Sequence, residues 1–402
     1  GRQPDHRHGT SFQFLGRNSD IPRHMKSLLK SFPPTDALNA FLKRRAFRGQ
    51  ERQARDHYAA LPPPQRTTGL DRLQDAPRKV SRAFLVGTME AQDRSGMLQA
   101  LDRIFGGIEY FTKADGSYGL EFPRSAFDDD LRDRNSRRLK EQVQEARPDF
   151  IIGQMMGLNV DPRTLDEFRN QGITVVNIVM DDRLPDLWVP MADGQRRGGI
   201  ALAKSVDMTL TSCADRVEWY HKEAAPARPM TLASDGGIAP EGLVRDIPIS
   251  FVGNKYGFRG KIVEAIEKAG LPIATYGRGW PNGPVGAEEA ARINARSRII
   301  LGSGLVGHMR DVYTLKLRDF DAMMAGACYV THRNPDLLRI FEEGRHLYCY
   351  ETLPELITVL RERLEDPEGT ARVAAAGQAL IREQYSWEKM LRRTFHDIGL
   401  EV

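Results

Sequence analysis

From residue 80 to the C-terminus the chain alternates short apolar runs with amphipathic stretches, and near residue 246 the alternation starts afresh. Apolar runs at 80–87, 150–152, 173–180, 208–212 and 230–232 read as strands, while 96–105, 131–146, 162–170 and 215–222 carry helical periodicity. The run 173–180 is almost continuously apolar, as expected of a strand covered on both sheet faces. The second series places strands at 247–252, 273–276, 299–301 and 328–331, and helices at 259–269, 287–296, 315–325, 354–364, 370–383 and 387–398. Strands separated by helices pair through crossovers, so each series predicts a parallel, doubly wound α/β sheet. No sequence repeat relates the two series, and the duplication is one of architecture.

The expected plan is a basic extension and linker over 1–78, a first Rossmann-like domain over 79–245 and a second over 246–385. A terminal helix over 386–402 is placed to cross back to the first domain. The 402 residues supply ample material for two such cores. The net charge of +4 hides an asymmetry, because residues 1–82 hold 17 Lys+Arg against 7 Asp+Glu and the body behind them is mildly acidic. Apolar patches at 25–29 and 37–42, separated by the breakers Pro33-Pro34 and Pro62-Pro63-Pro64, predict short helices in the extension. Its arginines, Arg44, Arg45 and those of 48–55, suit an acidic lipid surface, a partner protein or the acidic body. Three cysteines without a CxxC pair are too few for a disulfide framework, and no apolar run approaches the roughly 20 residues that span a bilayer. With no signal-type apolar core at its start, the chain reads as cytoplasmic, with any membrane association peripheral.

Ligands of open α/β sheets bind outside the carboxyl ends of strands. Three loops of the second domain meet that condition. The first runs from Gly253 and Asn254 to Arg259, the second is Tyr276-Gly277-Arg278-Gly279-Trp280, and the third begins at Ser303 and Gly304 and leads to the helix bearing Lys316, Arg318 and Asp321. Their glycines let a ligand approach the backbone, and the cations suit phosphate. None is a GxGxxG or P-loop sequence. Asp321 adjoins the apolar stripe Leu317, Phe320 and Met324, where it either pairs with Arg318 or accepts hydrogen bonds from ribose hydroxyls.

In the first domain, Asp181 and Asp182 follow the buried strand and can orient or deprotonate a hydroxyl, or cap the next turn. Gln154 is a further acceptor-side candidate. His308, between Ser303 and Lys316, is a candidate catalytic base. Asp128-Asp129-Asp130 has the spacing of metal-binding carboxylates but opens a helix, where acids complement the dipole. No metal site is expected.

Residues 316–330, read K-x-R-x-F-D-A-M-x-A-G-A-C-Y-V, resemble the nucleotide-binding helix and following strand of group 1 glycosyltransferases, most of all the spore maturation protein CgeB-like branch. The order of features at Asp336, Glu343-Gly344, Pro354-Glu355-Leu356, Asp366-Pro367 and Ala376-Gly377 agrees, and the resemblance covers about residues 247–396. It implies a GT-B fold, in which two Rossmann-like domains face each other and the second holds a nucleotide-diphosphate sugar without an obligatory metal or other cofactor. It places Gly253, Asn254, Arg259, Gly277, Arg278, Ser303, Gly304, Lys316, Arg318 and Asp321 on the donor side, with Asp321 as the ribose-binding acid. The family's first acid would fall at Tyr313, a departure from its pattern.

The implied activity is transfer of a sugar, with retention, to an acceptor glycan, protein or lipid. Two other classes compete. A sugar-nucleotide or polysaccharide-binding module without turnover would share the fold and explain Tyr313. A nucleic-acid-modifying protein would use the basic extension, but no stacking aromatic array or nucleic-acid motif supports it.

Overall fold

The computed structural model describes residues 36–64, 73, 77–94, 96–123, 128–235 and 242–402. The extension enters it as helix α1 (Asp36–Ala60), and the body begins with strand β1 (Arg78–Lys79). The first sheet contains β2 (Ala83–Val86), β3 (Glu109–Tyr110), β4 (Phe150–Gly153), β5 (Thr174–Val179), β6 (Met208–Thr211) and β7 (Ala227–Pro229), all parallel and ordered β3-β2-β4-β5-β6-β7. Its crossovers include α2 (Glu90–Asp93), α3 (Met97–Phe105), α4 (Asp129–Ala146), α5 (Pro162–Asn170) and α6 (Val217–Lys222). All residues of β2, β4, β5 and β6 are buried, because helices cover both faces. Asp128 caps α4 by accepting from the Leu131 amide at 3.0 Å, so that acidic triplet serves the helix end.

The second sheet contains β8 (Ile247–Val252), β9 (Ala274–Tyr276), β10 (Ser297–Leu301), β11 (Cys328–His332) and β12 (Tyr348–Tyr350), again all parallel and ordered β12-β11-β10-β8-β9. Between and after these strands run α7 (Arg259–Lys268), α8 (Ala287–Arg296), α9 (Leu317–Met324), α10 (Leu353–Glu365) and α11 (Pro367–Gln384). Since parallel strands end on the same side, each sheet presents its βα loops along one edge.

The last strand of the first sheet lies earlier than the apolar run 230–232 suggests. Thr209, Thr211 and the β6 backbone pair with Ala227 to Pro229, and Met230 and Leu232 are apolar for another reason. They carry the chain between domains, Met230 packing into the first domain's core and Leu232 into the second's.

The chain crosses back once more. Helix α12 (Trp387–Asp397) packs on α3 and sinks Met390, Leu391 and Phe395 into the first domain's core, and β13 (Leu400–Glu401) pairs in parallel with β1. The two crossings touch, since the Ser234 amide donates to the Tyr385 carbonyl at 3.0 Å and the Trp387 amide donates to the Ser234 carbonyl at 3.1 Å.

The extension forms one 25-residue helix where the sequence suggests short pieces. Its C-terminal half is held by the first domain, where Tyr58 stacks on Trp219 with ring centroids 4.5 Å apart and donates its hydroxyl to Glu223. Its middle reaches the second domain, Phe47 packing on Val306 and Met309 while Arg48 pairs with Asp311. The breaker Pro33-Pro34 and the patch at 25–29 lie outside the described residues.

Phe395 is fully buried, with ring centroids 5.5 Å from Phe150 and 6.3 Å from Phe105. Phe395→Ala should lower unfolding free energy by about 3–5 kcal/mol in chemical denaturation, the range for emptying an aromatic core site. A loss below about 1 kcal/mol would show that α12 is dispensable to that core.

Candidate active site

The βα loops of the two sheets face each other across a cleft of about 430 Å³, within the range of small-molecule sites. The second domain contributes Arg259, Lys316, Arg318 and Asp321, and the first contributes Asp181 and Gln154. Ser234 and Asp235, at the crossing, line it as well.

Helix α9 begins at an extended Lys316 whose amide donates to the Asp319 carboxylate at 2.7 Å. Asp319 is buried and also receives the Tyr329 hydroxyl, so it fixes the helix start and is not offered to a ligand. That start aims the Lys316 side chain across the cleft, where Nζ lies 3.5 Å from Asp181 Oδ1. Burial works against the ammonium, but Asp181 and Tyr256 together outweigh it and raise the Lys316 pKa above its ordinary value.

Arg318 lies over the Phe251 ring at 4.6 Å and donates from Nε and Nη2 to the Val252 carbonyl at the end of β8. Arg259, only 7% exposed, lies over Tyr256 at 4.0 Å and donates to the Asn254 carbonyl at 3.0 Å, leaving its Nε without a partner. A Cβ on Gly253 would come within 2.2 Å of Arg318 Nη2 and 3.6 Å of Arg259 Nη1, so the two guanidinium groups flank this glycine. Burial and the neighbouring Arg318 cation lower the Arg259 pKa to about 10, although Tyr256 opposes the fall. Burial alone would raise the Tyr256 pKa, but Lys316, Arg259 and Arg318 together pull it below its usual value. Such a concentration of positive charge favours an anion.

Asp321 accepts from the Ser234 hydroxyl at 2.6 Å. Burial raises its pKa to about 6 against the opposing pull of Ser234 and Arg318.

The other candidates lie elsewhere. Gly253 and Gly277 have φ of 150° and 129°, and a Cβ on Gly277 would meet the Gly253 carbonyl at 2.4 Å. These glycines let two backbone loops touch each other. Asn254 belongs to the same contact, its Oδ1 accepting from the Arg278 amide at 2.9 Å, while the Arg278 side chain is exposed beyond the cleft lining. Ser303 and Gly304 are buried behind the cleft, and the Gly304 carbonyl accepts from the Thr314 amide. His308 sits in the loop whose neighbours Val306 and Met309 pack on α1, outside the cleft lining.

Asp182 requires a correction. It is 1% exposed and receives the Thr211 hydroxyl at 2.6 Å and the Tyr220 hydroxyl at 2.9–3.0 Å. Consecutive residues leaving a strand point to opposite sides, so Asp181 takes the cleft and Asp182 the interior.

Thr88, Gln92, Ser234, Asp235 and Asn294 line the cleft without having been singled out from the sequence. The position of Thr88 and Gln92 just beyond strand β2 was a usable signal. Nothing local marks Ser234, Asp235 or Asn294. Among the described residues, no three His, Cys, Asp or Glu side chains converge to form a metal site, and no helix is long and apolar enough to cross a membrane.

The overall architecture is shared with solved structures. Sucrose-phosphate synthase from Thermosynechococcus elongatus superposes with a TM-score of 0.56 at 11% identity, covering 78% of this chain and 98% of its own. A glycosyltransferase from Rickettsia africae gives 0.55 at 9% identity, with 80% and 98% covered. Anabaena HepE in complex with UDP and glucose gives 0.50 at 11%, with 80% and 99% covered. At such identities the likeness is one of fold, and that fold is GT-B. Residues 259–395 match the family model described as glycosyl transferase-like. The second domain thus matches a glycosyl transferase-like family model within a GT-B architecture. No curated protein matches it by sequence. The family match begins at Arg259 and contains Lys316, Arg318 and Asp321.

Because Asp182 has a pKa raised by burial to about 7, the native state binds its proton more tightly than the unfolded chain does. Stability contributed by this group should therefore fall as pH rises from about 4 to 7 and level off above. Asp182→Asn should abolish that slope in denaturation measured between pH 5 and 8. Asp182→Ala should cost about 1–3 kcal/mol by stranding two buried hydroxyls. An unchanged slope in the Asn variant would contradict this assignment.

Proposed function

We propose that the protein transfers a sugar from a nucleotide-diphosphate sugar to a hydroxyl group of an acceptor glycan, protein or lipid. The observation that carries this reading is the convergence of Lys316, Arg318 and Arg259 around the end of β8, opposite Asp181. Diphosphate is the chemical group that such a cluster suits.

The Asp321 carboxylate would accept the ribose hydroxyls, and the slot beside Ala287, Ala290, Ala291 and Asn294 would take the base. Asn294 Oδ1 is buried there without a partner. In the reaction the bond from the anomeric carbon to the diphosphate oxygen breaks, its electron pair leaving with the diphosphate, and the acceptor oxygen bonds to that carbon. Asp181 takes the acceptor's proton. The three cations stabilise charge as it grows on the leaving group, and the anomeric configuration is retained, as the family resemblance implies. On this reading the cations do what a metal ion does elsewhere, and transfer needs no added cofactor, so activity should survive EDTA.

The same resemblance supports membership of the CgeB-like branch, and the three free cysteines support a cytoplasmic setting. The basic side chains Arg44 and Arg45, which line a surface depression with Arg48 and Arg310, support peripheral membrane or partner-protein contact through residues 1–78. A binding module without turnover is the second reading, favoured by Tyr313 at the family's first acid position. Release of free sugar from UDP-glucose or a related donor, or its transfer, would exclude it.

Arg318→Ala should weaken UDP binding by roughly 10- to 100-fold in calorimetry, the loss of charge-assisted hydrogen bonds worth about 1.5–3 kcal/mol. Wild-type affinity for both UDP and GDP in Arg318→Ala and Lys316→Ala would remove these residues from the site. Ionised Asp321 is the better acceptor for ribose, so nucleotide affinity should decline as pH falls through about 6. That decline should vanish in Asp321→Asn, whose affinity is uniformly low; a persisting decline would assign it to another group.

A further inference from the structure

The two halves of the cleft differ in charge. All three cations that line it, Arg259, Lys316 and Arg318, come from the second domain. The first domain presents Thr88, Gln92, Gln154 and Asp181, with Ser234 and Asp235 beside them at the crossing, and the apolar side chains of Met89, Met156, Ile178 and Met180.

A second, buried carboxylate stands behind this surface. Asp93 is 1% exposed and accepts from Gln154 Nε2 at 2.7 Å, the Tyr118 hydroxyl at 2.9 Å and the Thr88 amide at 3.0 Å. Gly87 makes room for it, since a Cβ there would lie 2.0 Å from the Tyr118 hydroxyl oxygen and 2.7 Å from Asp93 Oδ2. The amide nitrogen of Gln154 faces Asp93 Oδ1, while Oδ2 takes the Thr88 amide and the Tyr118 hydroxyl. Gln154 Oε1 is thereby turned toward Gln92 Nε2 at 3.3 Å and Thr88 Oγ1 at 3.5 Å, on the cleft side. Burial raises the Asp93 pKa, with Thr88, Gln154 and Tyr118 opposing, and among the described residues no lysine or arginine bonds to it.

We propose that this half of the cleft binds the acceptor as a neutral polyhydroxyl compound, and that Asp93 is the positioning residue that orients Gln154 toward it. The proposal rests on the reading of the opposite half as the donor site. Hydroxyl groups both donate and accept, which matches a surface of one oriented amide carbonyl, a second amide and a threonine hydroxyl. The methionines and Ile178 take the C–H face of the same molecule. A phosphorylated or carboxylated acceptor would meet amides and the Asp181 carboxylate in this half, where Lys316, the cation that reaches across, is already paired with Asp181. The negative group already accommodated by the cleft is the donor's, on the other wall.

The test uses the full chain and needs no knowledge of the natural acceptor. Binding of maltose and cellobiose is measured by ligand-observed NMR, with glucose 6-phosphate and glucuronate as the anionic counterparts, and UDP affinity is measured by calorimetry on the same samples. The neutral disaccharides should bind at least tenfold more tightly than the anionic sugars. Asp93→Asn, which lets the Gln154 amide reverse, and Gln92→Met should each weaken disaccharide binding about tenfold while leaving UDP affinity unchanged. Equal or tighter binding of the anionic sugars, absence of disaccharide binding, or unaltered disaccharide affinity in both variants would overturn the proposal. Failure of UDP to bind the wild type would instead sink the donor reading, and the disaccharide comparison would still decide this one.

Discussion

Arg183 joins the two domains at the rim of the cleft. It leaves the first domain immediately after Asp181 and Asp182, pairs at 3.0 Å with Asp215 of its own domain and at 2.6 Å with Asp336 of the other, and donates to the Tyr313 carbonyl at 2.6 Å. One guanidinium, 14% exposed, thus satisfies acceptors on both sides of a domain boundary. The Tyr313 carbonyl belongs to the segment that leads into α9, so the contact helps to place Lys316 as well. The distance between the walls, and with it the pairing of Lys316 with Asp181, depends on this bridge.

The fold was legible because parallel strands buried on both faces leave little freedom in sequence: 173–180 could hardly be anything else. The cleft's cations were legible as positions, since Arg259, Lys316 and Arg318 lie just past strand ends, where a doubly wound sheet gathers its loops. The limits were physical. The sequence pairs Asp181 with Asp182, but the pleat separates them into a cleft residue and an interior one. Gly277 and Asn254 have the composition of a ligand loop, yet they serve the contact between two loops. The network of Thr88, Asp93, Tyr118 and Gln154 draws on three separate segments, and no local pattern announces it. Met230 and Leu232 look like a strand because crossing between two cores demands apolar residues as firmly as a sheet does.

Helix α1 changes the meaning of the basic front segment. Its charge suggests an arm reaching outward, yet much of the described helix is committed to the body: Tyr58 to Trp219 and Glu223, Arg48 to Asp311 and Phe47 to Met309. These contacts span both domains. Breaking the Phe47 and Arg48 contacts would let the second domain move without disturbing the stacked aromatics that anchor the helix to the first.

The chain passes between the domains at Ser234 and again at Ser386, and these two crossings are hydrogen-bonded side by side. Two adjacent strands make a pin: they allow rotation about one axis and resist twisting about the others. Displacement grows with distance from such an axis, so groups beside it stay nearly still while the far rim swings. Ser234 holds Asp321 by its hydroxyl, which puts that carboxylate at the pin itself. Opening the cleft would therefore leave the surroundings of Asp321 almost unchanged and act mainly on contacts lying farther out. On the proposed reading, in which Asp321 holds the donor's ribose, one end of the ligand would stay gripped while the other is exposed or enclosed.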